Sequence, residues 1–125
     1  MLSMRILPIL MLVAPTPVFA KCHHDPVAFT FAGNPTSTTS ASADSGSVCK
    51  WHFQNGARGG GVDSITVASA PRHDSASATG ESVDYNVIYK SASGYRGSDQ
   101  FSFAIKGADA RGPGTATVVV NIDIH

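Results

Sequence analysis

Apolar and polar positions alternate with a period of two along most of this chain, from Val27 to Ile124. Successive side chains on an extended backbone point to opposite faces, so this period predicts half-buried strands. The clearest runs lie in the second half. Val83, Tyr85, Val87 and Tyr89 alternate with Asp84, Asn86, Ile88 and Lys90. Phe101, Phe103 and Ile105 alternate with Ser102, Ala104 and Lys106. From Ala116 to Ile124, Val118, Val120, Ile122 and Ile124 share one face, and Thr117, Asn121 and Asp123 the other. In the first half, Val27–Phe31 puts Val27, Phe29 and Phe31 on one side. Val48–Gln54 does the same with Cys49, Trp51 and Phe53, and Ser64–Ala68 with Ile65 and Val67. Ser37–Ala43 and Ser75–Thr79 read as small-residue strands, the first at a sheet edge. Turn residues at Gly33-Asn34-Pro35, Asp44-Ser45-Gly46 and Pro71–Asp74 separate these runs. About seven or eight short strands in one domain predict an all-β fold, an antiparallel β-sandwich.

Composition sharpens that expectation. No Leu and no Met occurs after residue 20, and Glu81 is the only glutamate. These are among the strongest helix formers, so a helical bundle and an α/β nucleotide-binding fold are excluded. Val, Ile, Thr and aromatic residues take their place, as strands require. Many of the remaining apolar residues are Ala, which makes a thin core that gains from an added constraint. Nine basic residues balance nine acidic ones, for a net charge of zero. No electrostatic case exists for nucleic acid or an anionic membrane as partner.

The first twenty residues have a different character. Arg5 precedes an apolar run from Ile6 to Val13, broken only by Pro8. Val18-Phe19-Ala20 then offers small to medium residues at positions −3 and −1 of an export-peptidase site. Residues 1–20 are expected to be a secretory signal peptide cleaved after Ala20, and 21–125 the folded domain. The apolar run is too short for a membrane span. The chain is therefore expected to be secreted or periplasmic, with no membrane span once mature. Cys22 and Cys49 are the only cysteines and form no Cys-x-x-Cys motif. In an oxidising compartment they are expected to pair as a structural disulfide.

From Ile65 onward the motifs are more specific. A strand ends in Pro71-Arg72-His73, and Val83-Asp84-Tyr85 opens the next long one. Then come Gly94-Tyr95-Arg96-Gly97-Ser98-Asp99-Gln100-Phe101 and a final Thr115-Ala116-Thr117-Val118 strand. This stretch, Ile65 to Ile124, resembles the bacterial immunoglobulin-like, cadherin-like extracellular repeats. The resemblance implies an immunoglobulin-like sandwich and a structural corner at Tyr95, Gly97, Asp99 and Phe101. The same residues read physically. Tyr95 can lay its ring on the core and bond its hydroxyl to backbone. Gly97 can take positive φ, Asp99 can accept backbone N–H bonds, and Phe101 re-enters the core. The repeats usually carry Gly where this chain has Asp74, so the turn there is expected to be wider or strained. The clustered acidic ligands of true cadherins have no counterpart, so calcium does not carry over.

Candidate chemistry is sparse. Cleavage after Ala20 would leave Lys21-Cys22-His23 at a free amine. Such a terminus can wrap Cu(II) or Ni(II) in square-planar nitrogen coordination, with His24 assisting. His73, Asp74 and Ser75 have triad residue types, but neighbours on an extended chain diverge. Asp63, Asp84, Asp99, Asp109 and Asp123 show no spacing that pairs carboxylates for glycoside hydrolysis. Gly59-Gly60-Gly61 lacks the Lys and Ser/Thr of a phosphate loop. The expected function is therefore an exported, non-enzymatic, cofactor-free module for binding, adhesion or structural support. Its partner would be a protein or glycan at the cell surface, met by strand edges or by the loops Asn55–Gly61 and Lys106–Gly114. The alternative is a small periplasmic metal-binding protein using His23 and His24.

Overall fold

The computed structural model describes residues 21–54, 61–81 and 84–125. The expected leader (residues 1–20), most of the Asn55–Gly61 loop and Val83 lie outside them. Eight strands are present: β1 (Cys22–His24), β2 (Thr36–Ala43), β3 (Val48–Gln54), β4 (Gly61–Ser69), β5 (Ser75–Glu81), β6 (Asp84–Lys90), β7 (Gly97–Asp109) and β8 (Gly112–Ile124). They form a five-stranded sheet in the order β1-β2-β8-β7-β4 and a three-stranded sheet in the order β3-β6-β5. The fold is all-β. Among the described residues no helix is long and apolar enough to cross a membrane.

The period of two places the core between the sheets. Cys49 and Trp51 of β3 and Tyr85, Val87 and Tyr89 of β6 are buried from one side. Phe101, Phe103 and Ile105 of β7 and Val118, Val120, Ile122 and Ile124 of β8 are buried from the other. The layers meet through aromatic rings, with Trp51 edge-on to Phe101 at 5.6 Å and Tyr89 stacked on Phe101 at 5.6 Å. The disulfide Cys22–Cys49 joins β1 to β3 and so ties the two sheets together.

Four details depart from the sequence reading. Val27–Phe31 is not a strand. Its aromatics still pack, with Phe31 buried and Phe29 edge-on to Phe53 at 5.8 Å. The Asp109 carboxylate accepts the Phe31 N–H at 2.9 Å, so a side chain replaces a ladder partner there. A Cβ at Gly114 would collide with the Phe31 carbonyl, which explains the glycine. Second, β2 runs parallel to β8, whereas every other pair is antiparallel. Third, β2 is not an edge strand, because β1 covers part of its other side. Fourth, Lys106–Gly114 is not an open loop: β7 and β8 pair as far as Asp109 opposite Gly112.

Candidate functional site

The corner after β6 fixes the geometry of one end of the sandwich. Asp99 enters β7 buried, with 6% of its surface exposed. Its Oδ1 accepts the N–H groups of Arg72 and Gln100, each at 2.9 Å. Its Oδ2 accepts the His73 N–H at 3.3 Å and the Tyr89 hydroxyl at 3.0 Å. Asp74 accepts the same hydroxyl at 2.5 Å and also the Ala92 N–H. Two carboxylates therefore meet over one tyrosine and fasten the β4–β5 and β6–β7 turns to the strands. Burial, then hydrogen bonding to Asp74 and Asp99, pushes the Tyr89 pKa up from its ordinary value. Asp74 keeps an ordinary backbone conformation; Asn34 is the non-glycine residue with positive φ among the described residues. The Asp74 carboxylate braces this turn through the Tyr89 hydroxyl and the Ala92 N–H.

The rest of the corner is equally well defined. Tyr95 donates its hydroxyl to the Ser98 carbonyl at 2.8 Å and stacks on His73 at 4.1 Å. Gly97 has φ 137°, where a side chain is disfavoured, and a Cβ there would press on the Tyr95 hydroxyl at 3.0 Å. Phe101 is buried against Trp51, Tyr89 and Phe103.

This corner walls a cleft of about 850 Å³ on the outer face of the five-stranded sheet. Arg72, His73 and Tyr95 stand on one side of it, and Ser98, Gln100, Asn121 and Asp123 form its floor. Strand pairing explains the floor. Gln100 is opposite Asn121, and Ser98 is opposite Asp123. The Gln100 amide donates to Asn121 Oδ1 at 2.7 Å. That bond leaves Gln100 Oε1 and the Asn121 amide group able to accept and donate outward. The alternation rule assigned Asn121 and Asp123 to the polar face, but nothing in it placed Ser98 or Gln100 there or brought β7, β8 and the Arg72-His73 turn together.

The N-terminal donors do not gather into a ligand set. Cys22 is in the disulfide. Asp25 N–H bonds Ser40 O, and Asp44 N–H bonds Lys21 O. The intervening pair, His23 with Ser42, is then also hydrogen-bonded by the ladder's alternation, which occupies the His23 amide. The His24 ring nitrogens lie 3.2 Å from Asp25 O and 2.9 Å from Lys50 O. Among the described residues no three His, Cys, Asp or Glu side chains cluster as a metal site. His52 is exposed, as the alternation indicates, and lies 3.0 Å from Asp84.

No protein-family model and no curated protein sequence matches the chain. Solved structures similar in backbone include two at low sequence identity. One is an endo-fucoidan hydrolase of glycoside hydrolase family 107, at TM-score 0.42 and 13% identity, with 77% of this chain and 14% of that one covered. The other is amebosin, at TM-score 0.35 and 14% identity, with 74% of this chain and 100% of that one covered. The chain thus spans a small part of the hydrolase, and at these scores neither likeness bears on activity.

Proposed function

We propose that the protein is an exported, non-catalytic immunoglobulin-like module that binds a partner outside the cytoplasm through the polar cleft. Strand order supports the fold assignment. The three-stranded sheet β3-β6-β5 corresponds to strands B, E and D, and β8-β7-β4 to G, F and C. The chain departs from that plan where β2 joins β8 in parallel and where Cys49 bridges to β1. The disulfide suits an oxidising compartment. Asp74 and Asp99, the carboxylates that approach one another at Tyr89, are held by backbone and tyrosine donors. That suits a brace better than a proton-transfer pair.

The observation that carries the binding reading is the convergence of Arg72, His73, Gln100, Asn121 and Asp123 on one concave surface. Polar groups of several types held on paired strands are pre-positioned for a ligand. Binding of the purified protein to cell-envelope material and to immobilised glycans tests it. Asn121→Arg should abolish binding, and Thr66→Arg, elsewhere on the β4–β7 pair, should leave it intact. Equal effects of the two substitutions, or no binding by the parent protein, would overturn the proposal.

A further inference from the structure

Register carries the cleft further than its walls. A second hollow of about 240 Å³, lined by His23, His24, Asp25, Ser40, Ala41 and Ser42, shares Ser40 and Ala41 with the cleft. The two adjoin at β2. Two rows of residues run through them at right angles to the strands. One row is Asp25, Ser40, Asn121 and Gln100, and the other is His23, Ser42, Asp123 and Ser98. Each row crosses β1 or its extension, β2, β8 and β7, and every member is polar. Three strand steps of about 4.8 Å make it roughly 14 Å long. That is longer than one pyranose ring.

The next two rows on the same face are chemically different. They read Thr38, Val119, Ser102 and Ser69, then Thr36, Thr117, Ala104 and Thr66. Neither contains an amide or a charged group. Among these four rows the amides and carboxylates fall in the two that line the groove, which ends at the His73–Tyr95 stack. Asp25 and Asp123 outnumber the single guanidinium of Arg72, so the groove does not favour a polyanion. It lacks the alternating apolar pockets that hold the side chains of a bound peptide strand. Amides and hydroxyls that donate and accept, with carboxylates that accept, match a ligand made of vicinal hydroxyls. At one end the exposed His73 ring, backed by Tyr95, offers an aromatic surface to the apolar C–H face of a sugar ring.

We infer that the ligand is an uncharged linear oligosaccharide lying across the strands, from the His73–Tyr95 stack to Asp25 and His23. This rests on the binding role of the cleft and adds its ligand class, length and direction. Calorimetry with one- to six-unit oligomers of neutral glucans, mannans and galactans tests it on the intact protein. For the series that binds, the trimer should bind at least about tenfold more tightly than the monomer. The double substitution Asp25→Ala, His23→Ala changes exposed side chains at the far end. It should remove that gain, whereas Asn121→Ala should weaken every length. Affinity independent of length would overturn the extended groove while leaving a binding cleft. Binding only to sulfated or uronic oligomers, or only to protein, would overturn the ligand class. Loss of all binding in the far-end variant, with its melting curve unchanged, would overturn the direction.

Discussion

Replacing Asp99 tests how the corner is held. Its carboxylate accepts four hydrogen bonds, from the N–H groups of Arg72, His73 and Gln100 and from the Tyr89 hydroxyl. Bonds to a charged acceptor contribute roughly 1.5–3 kcal/mol each when isolated, but neighbours are not additive. Arg72, His73 and Gln100 are exposed, so water can recover part of what their N–H groups lose. Tyr89 is buried and has Asp74 as its second partner. Asp99→Ala should therefore cost about 3–5 kcal/mol. Asp99→Asn keeps Oδ1 for Arg72 and Gln100 but turns Oδ2 into a donor facing His73 N–H, while the Tyr89 oxygen can accept from the new amide and give its one proton to Asp74. It should cost about half as much, near 1.5–2.5 kcal/mol. Urea unfolding followed by tryptophan fluorescence reads both, since Trp51 is buried in the layer that packs on Phe101. With an m-value of about 1–1.5 kcal/mol/M, the Asn midpoint falls by at least about 1 M. A loss below about 0.5 kcal/mol for Asn, or equal losses for Ala and Asn, would refute the four-bond account.

Three further outcomes follow from the packing. Reducing Cys22–Cys49, whose partners are 27 residues apart, should lower stability by about 3–4 kcal/mol on the loop-entropy model, read by unfolding with and without reductant. Gly114→Ala should destabilise by about 2 kcal/mol or more, because the new methyl meets the Phe31 carbonyl; a thermal melt unchanged from the parent would contradict that contact. Tyr89 has its folded-state pKa raised, so the folded protein keeps a proton that the unfolded chain loses above about pH 10. Stability should be complete below that pH and fall as pH rises beyond it, and Tyr89→Phe should show a shallower alkaline loss in denaturant titrations.

How far the site was legible depended on the range of each contact. Alternation placed Asn121 and Asp123 on an outer face because strand period is a local property. It also placed Phe29 and Phe31 inward, although their segment is not a strand. Packing against Phe53 and a bond from the Phe31 N–H to the Asp109 carboxylate can hold this backbone without a neighbouring strand. The meeting of Asp74 and Asp99 at Tyr89 had no sequence signal, because residue spacing does not encode which turns share one end of a sandwich. The parallel pairing of β2 with β8 was equally hidden, since a small-residue strand such as Thr36–Ala43 reads the same in either direction.

Local chemistry written into the sequence by itself determined the all-β class, the inward faces and the two cysteines available to pair. Side-chain period, scarcity of helix formers and thiol count are properties of neighbouring residues or of the whole composition. Only the tertiary structure decided which strands neighbour one another, and hence that Asp25, Ser40, Asn121 and Gln100 stand in one row. Such a row is built across strands, at right angles to the direction in which the chain is read. Its members lie from residue 25 to residue 121, and only the closing of the sheets fixes the steps between them.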